Sequence, residues 1–267
     1  MIGWTFPFGQ PVRDVQQTSR TRKRVFVLGV YASAVHAQWT APDGKEIVKA
    51  LAVASEPYIF WNGDGAEEII AKIKVPKALG KLQRADAQFN GQSGIALDQY
   101  ILEPLGLKRK DAWLCDLVPH SCINSSQQKA IERAYMPLTA KHGLPIPSVP
   151  PVPVVLADDA RRQAIISELR QSKTGLMILL GDESLEWFLR HFTGLPKRLA
   201  HFKGYGRLYP VQMEGMKLTV LPLAHPRQVA KQGTSSDRWY LAHQTWMRIA
   251  AASRLAESLS PKPREDD

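Results

Sequence analysis

The chain has 267 residues, 44% of them hydrophobic and 22% charged, which suits a sizeable buried core and is too apolar for a disordered chain. Lys and Arg number 35 against 25 Asp and Glu, and the resulting net charge of +10 favours polyanionic partners such as nucleic acid. With only Cys115 and Cys122, a disulfide scaffold and four-thiolate zinc or iron–sulfur sites are excluded. Both cysteines are expected to be free thiols of a cytoplasmic protein. The longest apolar runs, such as Leu176 to Leu180, are too short to cross a bilayer, so no membrane partner is expected. The N-terminus lacks the basic start and long apolar stretch of a secretory signal.

Residues 1–24 end in the basic run Arg20, Arg22, Lys23 and Arg24, and read as a solvated arm or a nucleic-acid contact. Val25 to Gly29 is a buried strand closed by glycine. Lys49 to Ser55 and Pro57 to Trp61 predict a small edge hairpin. Asp64 to Lys74 predicts a short helix capped by Asp64, with Ile69, Ile70 and Ile73 on one face. Helical spacing recurs from Gly94 to Leu105, and Ala112 to Val118 is a second buried strand. Ser125 or Ser126 caps a helix to about Lys141, and the five prolines from Pro145 to Pro153 exclude helix there. Asp158 caps an amphipathic helix with Ile165, Ile166 and Leu169 inside, stopped by Gly175. Leu176 to Leu180 is a third strand, followed through Gly181 by a helix bearing Trp187 and Phe188. Leu218 to Leu223 is a fourth strand. A last helix runs from near Ser236 to about Leu259, with Trp239, Tyr240 and Trp246 as packing residues, before a disordered tail at 260–267.

Strands alternating with helices predict an α/β fold: a three-layer α/β/α sandwich on a central, mainly parallel, four-stranded sheet, forming a single domain over 25–259. Ligands of such sheets bind in the loops after the strands. Here Tyr31 to His36, Asp116 to Cys122 and His225 to Lys231 carry the polar chemistry.

Four segments, taken in order, resemble the uracil-DNA glycosylase superfamily: VFVLGVYAS (Val25 to Ser33), FNGQSGIALD (Phe89 to Asp98), GLKRKDAWLCDLVPHS (Gly106 to Ser121) and GYGRLYPVQMEGMKLTVLPLAHP (Gly204 to Pro226). The resemblance implies a base-excision enzyme that flips a base out of DNA and hydrolyses its N-glycosidic bond. It further implies that Phe89 stacks on the base, Asp116 reads its edge and Gly29 lines the pocket. The resemblance also implies that His225 stabilises the departing base by hydrogen bonding. Arg227, Lys231 and Arg238 become phosphate contacts, which position DNA without reading sequence.

Three departures stand out. The first motif, Gly29-Val30-Tyr31-Ala32-Ser33, lacks the carboxylate or amide that orients the attacking water, leaving Tyr31, Ser33 and the more distant His36 as polar substitutes. The cysteines of the iron–sulfur branch are missing. Asp116 stands where the family has Asn; ionised Asp only accepts, so it suits an edge that donates twice, or else it is protonated. The expected protein is a monomeric DNA glycosylase needing no cofactor or metal. The alternatives are a non-catalytic nucleic-acid or nucleobase-binding module and a hydrolase of free nucleotides or nucleosides. No Walker-type loop is present, Gly91-Gln92-Ser93-Gly94 lacks the last glycine of a nucleophile elbow, and the seven scattered histidines form no metal motif.

Overall fold

A computed structural model describes residues 3–232 and 237–252. Its strands are β1 (Val25–Tyr31), β2 (Ala34–Thr40), β3 (Glu46–Ser55), β4 (Lys81–Arg84), β5 (Ala112–Val118), β6 (Leu176–Leu180), β7 (Tyr209–Met213) and β8 (Met216–Leu223). Its α-helices are α1 (Ala66–Ala71), α2 (Gln92–Ala96), α3 (Ser125–Ala130), α4 (Met136–His142), α5 (Asp159–Ser172), α6 (Gly181–Leu189), α7 (Pro226–Val229) and α8 (Asp237–Ala252). The chain divides into two compact units: residues 1–16, 31–95 and 118–155 form the first, and 17–30, 96–117 and 156–267 the second.

The second unit carries the mainly parallel sheet, in the order β5-β1-β6-β8-β7. β1 pairs parallel with β6 (Phe26 opposite Met177), and β6 with β8 (Leu176 opposite Thr219). The starts of β1 and β5 are tied together, because the Arg24 N–H donates to the Asp111 carbonyl (2.8 Å). The Thr174 hydroxyl performs the same task between β1 and β6: it donates to the Arg24 carbonyl (2.7 Å) and accepts the Leu176 N–H (3.1 Å). β5 and β6 are buried along their whole length, which is why β6 reads as a continuous apolar run and β5 as one broken only by Asp116.

The sheet has five strands where four were expected. The additional one, β7, is an antiparallel edge strand returning onto β8 through Glu214 and Gly215, both at positive φ. Pro210 lies within it, a residue tolerated on a sheet edge and a poor strand signal in sequence.

α5 follows its prediction closely. The Asp158 carboxylate accepts the Arg161 N–H (2.8 Å), and Ile165, Ile166 and Leu169 are buried. It ends on Lys173 at φ 52, earlier than the Gly175 stop expected. The helical stretch expected over 94–105 is α2, continued by a π-helical segment Leu97–Leu102 and a 3-10 turn Glu103–Leu105, and closed by left-handed Gly106. The last helix starts at Asp237; Ser236, residues 253–259 and the tail at 260–267 lie outside the described residues.

The first unit contains a feature the sequence concealed, an antiparallel sheet ordered β3-β2-β4. The partner of β3 is β2, not the predicted segment 57–61. That segment turns instead, with Phe60 at φ 53 and the Trp61 indole donating to the Asp64 carbonyl (2.7 Å). α1 begins after left-handed Gly65, without the expected Asp64 cap. α3 is capped by Asn124, which accepts the Gln127 N–H (2.9 Å), rather than by Ser125 or Ser126. The prolines between 145 and 153 are non-helical, as expected, and tied down: the Ser148 N–H donates to the Thr5 carbonyl (2.8 Å) and the Ile123 N–H to the Pro150 carbonyl (2.9 Å).

The N-terminal residues are not a solvated arm. Phe6, Phe8 and Val12 are buried in the first unit's core. Phe8 meets Trp39 and Tyr135 edge-on, with centroids 5.3 and 5.0 Å away. Burying two phenyl rings and a valine outweighs solvating the few charges that follow them, Arg13 and Asp14. The basic run beyond belongs to the second unit, where Lys23 is buried and its ammonium donates to the Lys110 carbonyl (2.9 Å).

Candidate functional site

In a parallel sheet the strand C-termini share one rim, and ligands collect where the chain order switches sides. In the second unit that switch lies between β1, which leads on to β5 on one side, and β6 on the other. Gly29 lies in β1, Asp116 in β5, Gly181 directly after β6 and His225 directly after β8. Asp116 and His225 are three strand spacings apart, about 14 Å along the rim.

His225 caps α7. Its Nδ1 accepts the Arg227 N–H (3.3 Å), while Gln228 Oε1 accepts the His225 N–H (3.1 Å). Loss of solvent around the ring, then the Arg227 charge, lowers its pKa to about 4. The ring is therefore neutral at neutral pH, and with Nδ1 accepting, its proton sits on Nε2. His225 thus presents one N–H donor.

The backbone entering His225 is held by a relay. The Ala224 N–H donates to the Tyr205 hydroxyl (3.0 Å), which donates to His243 Nδ1 (2.6 Å). His243 Nε2–H donates to the Tyr100 carbonyl (2.7 Å). Burial lowers the His243 pKa to about 4 and raises that of Tyr205, so the relay is uncharged. On its other side His225 abuts Gly181, at φ +85. A Cβ there would lie 3.3 Å from His225 Cβ and 3.5 Å from Glu183 Oε2.

Asp116 sits within β5, two residues before its end, and is 4% exposed. Burial raises its pKa to about 7; Arg161 opposes that shift and Glu168 adds to it. Near neutrality a substantial fraction is the neutral acid, which both donates and accepts as an amide does. Arg161 organises the strand end from α5: its guanidinium donates to the carbonyls of Leu117 (3.0 Å) and Asp116 (2.5 Å) and pairs with Glu168 (3.5 Å). Glu168 also accepts the Trp113 indole N–H (2.9 Å).

The expected phosphate contacts are partly engaged. Lys231 pairs with Asp237 (3.0 Å), the main reason its pKa is raised, and Arg238 lies 4.5 Å over the Trp239 ring. Arg227 is exposed on α7. Both thiols are free, and burial pushes Cys122 up to about 11 and Cys115 upward too, so neither is an activated nucleophile. Among the described residues no group of three or more His, Cys, Asp or Glu is placed to hold a metal ion, and no helix is long and apolar enough to cross a membrane.

Tyr31, Ser33 and Phe89 belong to the first unit. Tyr31 is 44% exposed. The Ser33 carbonyl accepts the Ser121 hydroxyl. Phe89 is half-buried in a 3-10 turn, with Lys49 Nζ 5.8 Å from its ring. His36 lies beside it on β2: Asn90 accepts the His36 N–H (2.8 Å) and donates to its carbonyl (3.0 Å). Burial lowers the His36 pKa to about 4, and among the described residues its Nδ1 has no hydrogen-bond partner. The glycines after Phe89 are forced by close approach. A Cβ on Gly91 would lie 2.1 Å from the Asn62 carbonyl carbon, and one on Gly94 2.1 Å from the Phe60 oxygen.

Sequence reasoning missed Arg161, Tyr205, Glu183 and Asn90. The Arg161–Glu168 spacing, two helical turns along one face of α5, was the one signal that pointed to a pair there. No protein-family model matches this chain, and no curated protein matches it either.

Proposed function

We propose that the second unit is a DNA glycosylase-like α/β/α sandwich that hydrolyses the N-glycosidic bond of a flipped, uracil-like or modified base in DNA, acting as a monomer. The observation that carries this reading is the pairing, on one sheet rim, of a neutral His225 donating from Nε2 with a buried Asp116 that titrates near neutrality. As the neutral acid, Asp116 offers a donor to a base carbonyl and an acceptor to the adjacent ring N–H. That removes the objection an ionised Asp raises against uracil. Bond cleavage leaves the electron pair on the base, and the His225 N–H meets the developing oxyanion without a change in its own charge. Arg227 and the net charge of +10 supply attraction to phosphate.

The test is incubation with single- and double-stranded oligonucleotides carrying uracil, hypoxanthine or xanthine, followed by alkali. Strand scission that disappears in His225→Ala supports the reading. One observation favours the binding-module alternative: Gly29-Val30-Tyr31 brings no carboxylate or amide to the end of β1. Salt-sensitive binding with no abasic product is the outcome that selects it.

A further inference from the structure

The end of β1 brings no carboxylate or amide, but a carboxylate, Glu183, stands just past the end of β6. Gly181 opens α6 at φ +85, and the position its Cβ would fill is bordered by two groups: His225 Cβ at 3.3 Å and Glu183 Oε2 at 3.5 Å. One Glu183 carboxylate oxygen and the His225 Cβ thus border the same point beside the glycine. The neighbouring acid is committed elsewhere, because Asp182 Oδ1 accepts the Leu199 N–H (2.7 Å). Glu183 is exposed, and among the described residues no hydrogen bond or ion pair holds its carboxylate. It lies at the switch between β1 and β6, where a sheet of this topology binds its ligand. A carboxylate in the first turn of a helix also has an ordinary role, stabilising the helix end. That role requires neither the left-handed glycine nor the approach to His225.

Resting on the glycosylase reading, we infer that Glu183 is the general base of the reaction, supplying from the end of β6 the carboxylate that the first motif lacks. Water attacks C1′ of the sugar as the C1′–N bond breaks. The bonding electron pair leaves with the base, whose oxygen is held by His225 Nε2–H. The water proton passes to Glu183, which then returns it to the departing base or to solvent. The products are the free base and an abasic site bearing a C1′ hydroxyl, with no redox change. The negative charge of Glu183 also opposes the positive character that develops on the sugar.

The experiment is single-turnover cleavage of an oligonucleotide carrying whichever of uracil, hypoxanthine or xanthine the wild-type protein excises, comparing wild type, Glu183→Gln, Glu183→Ala and His225→Ala. Loss of a positioned general base is expected to slow Glu183→Gln by about 100-fold or more. Oligonucleotide affinity should be unchanged and the thermal midpoint should fall only by the small amount a first-turn carboxylate contributes to its helix, and added formate should restore rate to Glu183→Ala but not to His225→Ala. A Glu183→Gln rate within about threefold of wild type, with His225→Ala inactive, overturns the role of Glu183 and leaves the glycosylase reading standing. A loss matched by weakened binding or a midpoint lowered beyond that small amount also overturns it, since Glu183 then acts on structure. A wild-type protein that releases none of these bases overturns both.

Discussion

Asp116→Asn is the most informative single change, because it keeps shape and hydrogen-bonding capacity while removing ionisation. Burial raises the Asp116 pKa from 3.8 to about 7. Each pKa unit corresponds to about 1.4 kcal/mol, so holding this carboxylate ionised in the folded protein costs roughly 4 kcal/mol. The unfolded chain loses the proton near pH 4 and the folded chain near pH 7. Between those values the native state binds more protons, so wild-type stability falls as pH rises through that window and levels off above it. The Asn variant has no such step. Urea denaturation of both proteins from pH 4 to pH 9 should show the variant gaining on wild type by roughly 1.4 kcal/mol per pH unit at most, reaching about 4 kcal/mol at the plateau. On the proposed glycosylase reading the same proton controls recognition, so wild-type excision of a uracil-like base should fall about tenfold per pH unit above pH 7, while the Asn variant stays flat. A stability difference constant from pH 4 to pH 9 would mean that Asp116 ionises as it does in water, and the argument for its donor role would fail.

Two further expectations follow from close packing and from the relay. Gly94→Ala drives a methyl group to 2.1 Å from a backbone oxygen and should cost about 3 kcal/mol or more in chemical denaturation. Gly175→Ala, which meets nothing within 4 Å, should be close to neutral. Tyr205→Phe leaves the buried Ala224 N–H and His243 Nδ1 without partners, at roughly 1–3 kcal/mol for each. A thermal midpoint unmoved by that substitution would show that the relay does not hold the backbone before His225.

The parts of the fold legible in the sequence were those whose environment is the same on both sides. β5 and β6 are buried throughout, β6 appearing as an unbroken apolar run and β5 as one interrupted only by Asp116, and α5 announces itself by Asp158 and the spacing of Ile165, Ile166 and Leu169. β4, with four residues of which only Leu82 is apolar, is shorter and more polar than any pattern can register. β2 is irregular at three points in its pairing with β3, so its alternation breaks down. Phe60 and Trp61 mimic a strand because aromatic residues favour sheets, although Phe60 is held left-handed in a turn.

At the site, the positions of Asp116 and His225 followed from strand ends, but their protonation did not. The state of Asp116 depends on Arg161 and Glu168, remote in sequence, and on burial that only the assembled sheet creates. The tautomer of His225 depends on a backbone N–H two residues later. Glu183 is unremarkable in the sequence, and only the folded chain sets its carboxylate and His225 beside the same glycine.

The strand order has a consequence for synthesis on the ribosome. β1 leaves the ribosome well before its register partner on one side, because Met177, opposite Phe26, lies about 150 residues later. At ordinary elongation rates that is a wait of roughly 8–30 s. Throughout it, a sticky segment has no permanent neighbour on that flank. Nascent chains halted before β6 are thus expected to recruit chaperones strongly, and chains released just beyond β8 to shed them.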